Sequence, residues 1–266
     1  MKKAQATFAS TSARSVDANV RGMARALYRI LTRIGQREAR LAIERMDKRG
    51  PRALIRKSAW DQDTLALADL LERYGLRQFA DGGKRAASLG ESKWVLKPTI
   101  KAEMLAELEH KVVLTIAQTR DGVHESLRAI IAEAMDEEPK PTPGQIARRI
   151  ALKFGGDGDD RAGVFSFGRA ERIARTELAQ AENAGIAEGF AQSGIERVEW
   201  LANTDGLSGG RHHERMNGKS ITVAAMNGSD RSKWFLTPLG NRCPWPAWDG
   251  LPANDLINCR CMVVPQ

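Results

Sequence analysis

Between Val20 and Met46 the apolar residues Val20, Met23, Leu27, Ile30, Leu31, Ile34 and Leu41 recur three and four positions apart, the spacing that gathers side chains on one face of an α-helix. At about 100° per residue, Arg21, Arg25, Arg29, Arg33, Arg37 and Arg40 fall on the opposite face. The first part of the chain is thereby committed to a helix with one packing side and one cationic stripe. Residues 1–50 hold twelve Lys and Arg against four Asp and Glu, and this excess of 12 − 4 = 8 equals the +8 net charge of the whole chain. A segment of this kind calls for an acidic partner, whether nucleic acid, an acidic protein surface or a lipid headgroup. Affinity for DNA of arbitrary sequence, with its steep salt dependence, is expected to reside there.

Gly50-Pro51 ends this helix, and a second is expected from near Ser58 to Gly75. Asp81-Gly82-Gly83 to Lys97-Pro98 is rich in turn residues and reads as a loop. Thr99 to about Met135 carries a long helical pattern. Asp136 to Pro143 is acidic, holds three prolines and has the composition of a stiff hinge. The expected division is therefore a basic helical domain over 1–138 and a second domain over 139–266. In the second, Thr142-Pro143 starts a short helix ending near Phe154-Gly155, and Gly155 to Gly163 is a loop. A further helix runs from a Ser166 cap to about Gln192, with Gly194 as its stop. Val198 to Ala202, Ser220 to Ala224 and Arg260 to Val264 read as short strands. The fold class is α+β, a mostly helical N-terminal domain followed by a small α+β C-terminal domain with short strands.

Hydrophobic residues make up 42% of the chain and charged residues 28%, enough apolar content to fold into cores and too much for a disordered chain. No apolar run approaches the roughly 18 residues of a membrane span, and Met1 to Ser15 has no apolar stretch of the kind an export signal carries. No membrane partner is expected. All three cysteines lie beyond residue 240, which fits synthesis in a reducing compartment or a local metal site better than a disulfide framework.

The densest group of unusual side chains is His212, His213, Cys243 and Asn258-Cys259-Arg260-Cys261. In a strand Cys259 and Cys261 share a face, Pro244 and Pro246 hold Cys243 in a loop able to reach it, and thiolate with imidazole suits tetrahedral zinc. Against a set of His213 (or His212), Cys243, Cys259 and Cys261 stand the tight C-x-C spacing and the plain alternative of small packing cysteines. A Cys–His nucleophile pair oriented by Asp205 or Glu214 is a third possibility, without any local signature to support it. Gly155-Gly156-Asp157-Gly158-Asp159-Asp160 lacks the ligand spacing of a calcium loop and the Lys of a phosphate loop. Three tryptophans among the prolines from Trp234 to Pro252 read as a rigid loop closing the core, with a ligand cage as the alternative. His110 and His124 read as ordinary surface or edge residues. No catalytic residues are assigned, and the chain is expected not to be an enzyme.

The ordered series Arg172-x-x-Arg175-Thr176-Glu177, Ala181-x-Asn183, Gly194-Ile195, Glu199-Trp200, Asp205, His213 with Gly218 five residues on, Asn258-Cys259-Arg260-Cys261 and Pro265 resembles the Mu F-like phage head morphogenesis family over about residues 142–266. Two departures are a Gly-rich stretch before His213, without the family's usual arginine three residues ahead of it, and an extra cysteine in the proline loop. The resemblance implies a minor head protein of a tailed phage that joins the portal protein during assembly, resides in the virion and can contact packaged DNA. It implies no established catalytic residues. It also extends to toxin-associated relatives, so the alternative it leaves open is a DNA-binding effector carried in the capsid and injected with the genome.

Overall fold

In the computed structural model, residues 2–49, 61–90, 92–137, 142, 145–146, 149–150, 154, 167–203 and 212–266 are described. Four long helices, α1 (Lys2–Arg49), α2 (Asp61–Leu89), α3 (Pro98–Asp136) and α4 (Phe167–Ser193), precede a segment of short elements. This is the expected α+β class. None of the helices is long and apolar enough to cross a membrane.

The chain divides into two compact units, each assembled from separate segments: residues 1–23, 72–105 and 172–266 in one, and residues 24–71 and 106–171 in the other. Neither unit coincides with a division at 138/139, because α1, α2, α3 and α4 each contribute residues to both.

The second unit is helical. Leu27, Ile30, Leu31 and Ile34 of α1 are buried, as are Leu67, Leu70 and Leu71 of α2, Val123, Leu127 and Ile130 of α3, and Ile146, Ile150 and Phe154. Thr142 caps the last of these segments reciprocally: the Gln145 side chain accepts from Thr142 N–H, and Thr142 Oγ1 accepts from Gln145 N–H. On the cationic face Arg25, Arg29, Arg33 and Arg40 are exposed. Arg37 departs from the expected stripe, since its guanidinium lies 2.5 Å from the buried carboxylate of Asp63 and holds the unit together instead of facing outward. The side chains of His110 and His124, the hinge prolines and the Gly-rich run 155–163 lie outside the described residues.

In the first unit segments of α1, α2 and α4 pack under the short elements, with the start of α3 against Phe79 and Ala181. α1 begins eighteen residues before the periodicity that announced it, because there Phe8, Ala9, Ser12 and Ala13 pack inward without a run of recurrent large apolar residues. Ser12 is fully buried, and Phe8 lies 6.0 Å from the Phe190 ring of α4. Removing residues 1–50 would therefore dismantle this core, so the charge of the segment has to be tested by substitution. A buried polar chain ties the three helices. Asn19 donates to Gln78, Gln78 donates to Glu182, and Arg85 donates to both Glu182 oxygens at 2.5 and 2.7 Å and to Ser12 Oγ at 3.1 Å. Burial pushes the Glu182 carboxyl up from its ordinary value against the pull of Arg85 and of the Gln78 and Ser12 hydrogen bonds.

Helix α2 runs through Gly75 and through Asp81-Gly82-Gly83, where the sequence suggested a stop and a loop. The glycines serve close helix approach. A Cβ on Gly82 would lie 2.7 Å from the Glu182 carbonyl oxygen, one on Gly185 would lie 2.1 Å from the Phe79 carbonyl oxygen, and one on Gly189 would lie 2.5 Å from that of Gly83. These contacts repay glycine's helix penalty of about 1 kcal/mol with backbone-to-backbone packing that any side chain would prevent.

Gly194, at φ 71°, ends α4 where expected. Strand β1 (Arg197–Leu201) then forms the centre of an antiparallel sheet of order β2-β1-β5, with β2 (Ser220–Thr222) and β5 (Met262–Pro265) at its edges. A short helix α5 (Val223–Met226) replaces the end of the expected second strand. The hairpin β3 (Phe235–Leu236) and β4 (Arg242–Cys243) and the helix α6 (Ala253–Leu256) complete the unit. Trp234 and Trp248 meet edge to face at 5.1 Å, and the Arg231 guanidinium lies over both rings at 5.5 and 5.7 Å. The aromatic pair in the proline loop is thus already capped by the protein's own cation.

Gly185→Ala is expected to destabilise the protein by roughly 2–3 kcal/mol, the range for forced overpacking. Equilibrium urea unfolding reads this directly, and an unchanged midpoint would contradict the glycine contact.

Candidate metal centre

Three buried side chains from separate parts of the first unit converge. His213 opens the 3-10 turn His213–Met216, preceded by His212 in a left-handed conformation at φ 55°. This kink sends the neighbouring imidazoles apart. His212 is exposed and faces Glu214 at 3.3 Å, whereas His213 is 1% exposed and packs edge-on against the fully buried Trp200 at 5.4 Å.

The cysteines arrive differently from expectation. Strand β5 starts only at Met262, so Cys259 and Cys261 sit in the turn before it. Asn258 reverses the chain at φ 61°, and Cys259 N–H donates to the Leu256 carbonyl. The two sulfurs still reach a common point, each 3.7 Å from His213 Nδ1. The ligand atoms of His213, Cys259 and Cys261 all lie within 4.8 Å of one another.

Cys243 does not belong to that group. It is fully buried in β4, opposite Phe235. Burial first, then the nearby Asp255 and Cys261, push its thiol well above the ordinary range, which suits a neutral packing residue. The three cysteines are free of disulfides.

The carboxylate that orients the imidazole carries no signal in its local sequence. Asp255, in α6 and with no exposure, accepts from His213 Nε2 at 3.0 Å through one oxygen. Its other oxygen accepts from Thr237 Oγ1 at 2.8 Å and Asn241 Nδ2 at 2.7 Å. Of the two suggested orienters, Glu214 pairs with His212 instead, and Asp205 lies outside the described residues. Three donors around one carboxylate leave it acceptor-only. This network puts the imidazole hydrogen on Nε2 and, in the neutral ring, turns the Nδ1 lone pair toward the two sulfurs.

The electrostatics favour a thiolate at Cys261. Its thiol is held down at about 5, first by the hydrogen bond from Cys259 and, against burial, by His213 and the backbone N–H of Asn203. Burial opposes charge on His213, but hydrogen bonds to Cys261 and Asp255 outweigh it and raise its pKa. Soft sulfur donors and an imidazole nitrogen, with a carboxylate behind the imidazole, are the donor set and outer support of a thiophilic metal site. Bond lengths of 2.0–2.1 Å to nitrogen and 2.3 Å to sulfur at a tetrahedral angle require a nitrogen–sulfur separation of about 3.6 Å, close to both observed distances. The cluster is able to hold a metal ion.

The other residues singled out by the sequence frame this cluster. Thr176 on α4 accepts the N–H of Asn258 at 3.0 Å, and Asn183 donates to the Cys261 carbonyl at 3.1 Å. Gly218, at φ 79°, donates to the Trp200 carbonyl. Arg175 pairs with Asp17 at 2.8 Å, while Glu177 and Arg260 are half-buried. Arg21, in this unit, is exposed.

No family model, curated protein or solved structure matches this chain.

Asp255→Ala would strip the acceptor from the buried His213 and Thr237 and the half-buried Asn241, each buried donor costing about 1–3 kcal/mol when unmatched. A loss of more than about 3 kcal/mol is expected in denaturant unfolding, and a loss below about 1 kcal/mol would show that the carboxylate does not organise this cluster.

Proposed function

We propose that this chain is a minor structural component of a tailed-phage head that joins the portal protein during assembly, and that its C-terminal segment is stapled by one zinc ion on His213, Cys259 and Cys261. The supporting observation is how the residues behind the resemblance to the Mu F-like family are used. Thr176, Asn183, Trp200, His213, Gly218 and Asn258 to Cys261, spread over 86 residues, are joined by hydrogen bonds and ring packing around one interior cluster. Shared scaffolding of this kind gives such a scattered series a physical reason to exist. His213 and Cys261 are buried behind that scaffolding, which suits a stabilising role better than turnover of a substrate.

Zinc is the preferred ion because two thiolates and an imidazole match its usual ligands and its lack of geometric demands. The metal would tie the turn ahead of β5 to the 3-10 turn after β1, which are 45 residues apart in the chain, and binding energy at such a site is folding energy. Protein purified without a histidine tag should carry one equivalent of zinc by elemental analysis. Cys261→Ser should lose it and Cys243→Ser should retain it; folded wild-type protein without zinc would remove the metal reading.

Contact with packaged DNA is supported by exposed Arg25, Arg29 and Arg33 on the second unit, which can neutralise phosphates without reading sequence. The same arginines would serve an injected effector, so the two readings separate on location and timing. Purified heads are expected to contain the chain in a few copies, portal complexes isolated before packaging should already carry it, and Arg25, Arg29 and Arg33 replaced together by Gln should leave that incorporation intact. Absence from portal complexes, combined with delivery into the host on ejection, would favour the effector.

A further inference from the structure

The ligand set that converges on His213 stops at three among the described residues. A structural zinc site is ordinarily closed by four protein ligands, whereas three protein ligands leave a position for an exchangeable group. Two independent features of the first unit bear on where that position faces. Cys259 and Cys261 form part of the wall of a cavity of about 60 Å³, together with Arg175, Asn183 and Asn203. This is ample room for a water molecule or a ligand of a few heavy atoms, since about 10–15 Å³ of such space is enough for one water.

Asn183 supplies the second feature. It is 1% exposed. Its Nδ2 donates to the carbonyls of Ala179 and Cys261 at 3.0 and 3.1 Å, and because both partners are acceptors the amide cannot be flipped. Its Oδ1 is consequently a buried acceptor that no donor among the described residues meets. A buried acceptor left unmet carries the full cost of its lost hydration, so a polar group carrying a hydrogen is called for in this cavity.

We propose that the metal on His213, Cys259 and Cys261 keeps an exchangeable fourth position, filled by water or another small monodentate Lewis base that sits in this cavity and donates a hydrogen bond to Asn183 Oδ1. This rests on the zinc reading above and deepens it, because it assigns the site a ligand class. Among groups that fit, hydroxide, hydrosulfide and water combine a metal-binding lone pair with the hydrogen that Asn183 requires. Cys243 takes no part.

The test replaces zinc by cobalt(II) in the full chain and follows the cobalt and thiolate charge-transfer bands while azide is added. Azide is expected to displace the resident ligand and shift the bands with a saturable dependence. Cys243→Ser should leave the starting spectrum unchanged, and Asn183→Ser should bind one cobalt but change azide affinity several-fold. If one cobalt binds and the spectrum ignores azide, or if Cys243→Ser alters it, the site is closed and this proposal falls while the metal reading stands. If neither cobalt nor zinc binds the folded protein, both fall. The wild-type titration decides the matter even if Asn183→Ser does not fold.

Discussion

A carboxylate without solvent must be surrounded by donors, and Asp255 organises its unit by meeting that requirement. Its three donors come from the 3-10 turn after β1 and from the β3–β4 hairpin, neither of which buries enough apolar surface to hold its place alone. Anchoring them to one anion fixes the turn that carries His213 and the loop that backs it. The same contact decides which imidazole nitrogen bears hydrogen, and with it whether Cys259 and Cys261 face a donor or a lone pair. Packing and chemistry here share one atom pair, Asp255 Oδ1 and His213 Nε2.

The sequence disclosed what periodicity and turn chemistry can carry. The buried face of α1 from Val20 to Ile34, the Thr142 cap, the Gly194 stop and the three C-terminal strands are short-range features. Each is written in residues a few positions apart. The misreadings share a cause, since in each a residue's local preference yields to a distant partner. Gly82 and Gly83 suggest a turn until Glu182 and Gly189 come against them, and Arg37 suggests a solvated charge until Asp63 is buried beside it. Ser12 carries no apolar signal yet lies in the core. The candidate site was legible in its ligands and illegible in its support. His213, Cys259 and Cys261 are chemically conspicuous, but Asp255 is an ordinary acid within Ala253-Asn254-Asp255-Leu256, and only the fold identifies it as the imidazole's partner. Cys243 was equally conspicuous and belongs to the apolar packing. Residue type alone could not separate it from the other two thiols.

The functional reading follows from the same division of labour. A cluster buried beside Trp200 contributes rigidity at a place where the backbone is mostly turn. The exposed arginines of α1 offer charge at the surface, and the proposed head role draws on both features.

The glycine notch between α2 and α4 carries a further consequence. Gly185 and Gly189 fit α4 against α2 in a single axial setting, because a slide of one turn, about 5.4 Å, would replace a glycine at the contact by a residue with a side chain. On the same helix Thr176 and Asn183 hold the chain at Asn258 and Cys261. Helix α4 therefore acts as a ruler, zeroed at one end by missing side chains and read at the other by two hydrogen bonds. The placement of two sulfur atoms is metered by glycines more than seventy residues away in the chain.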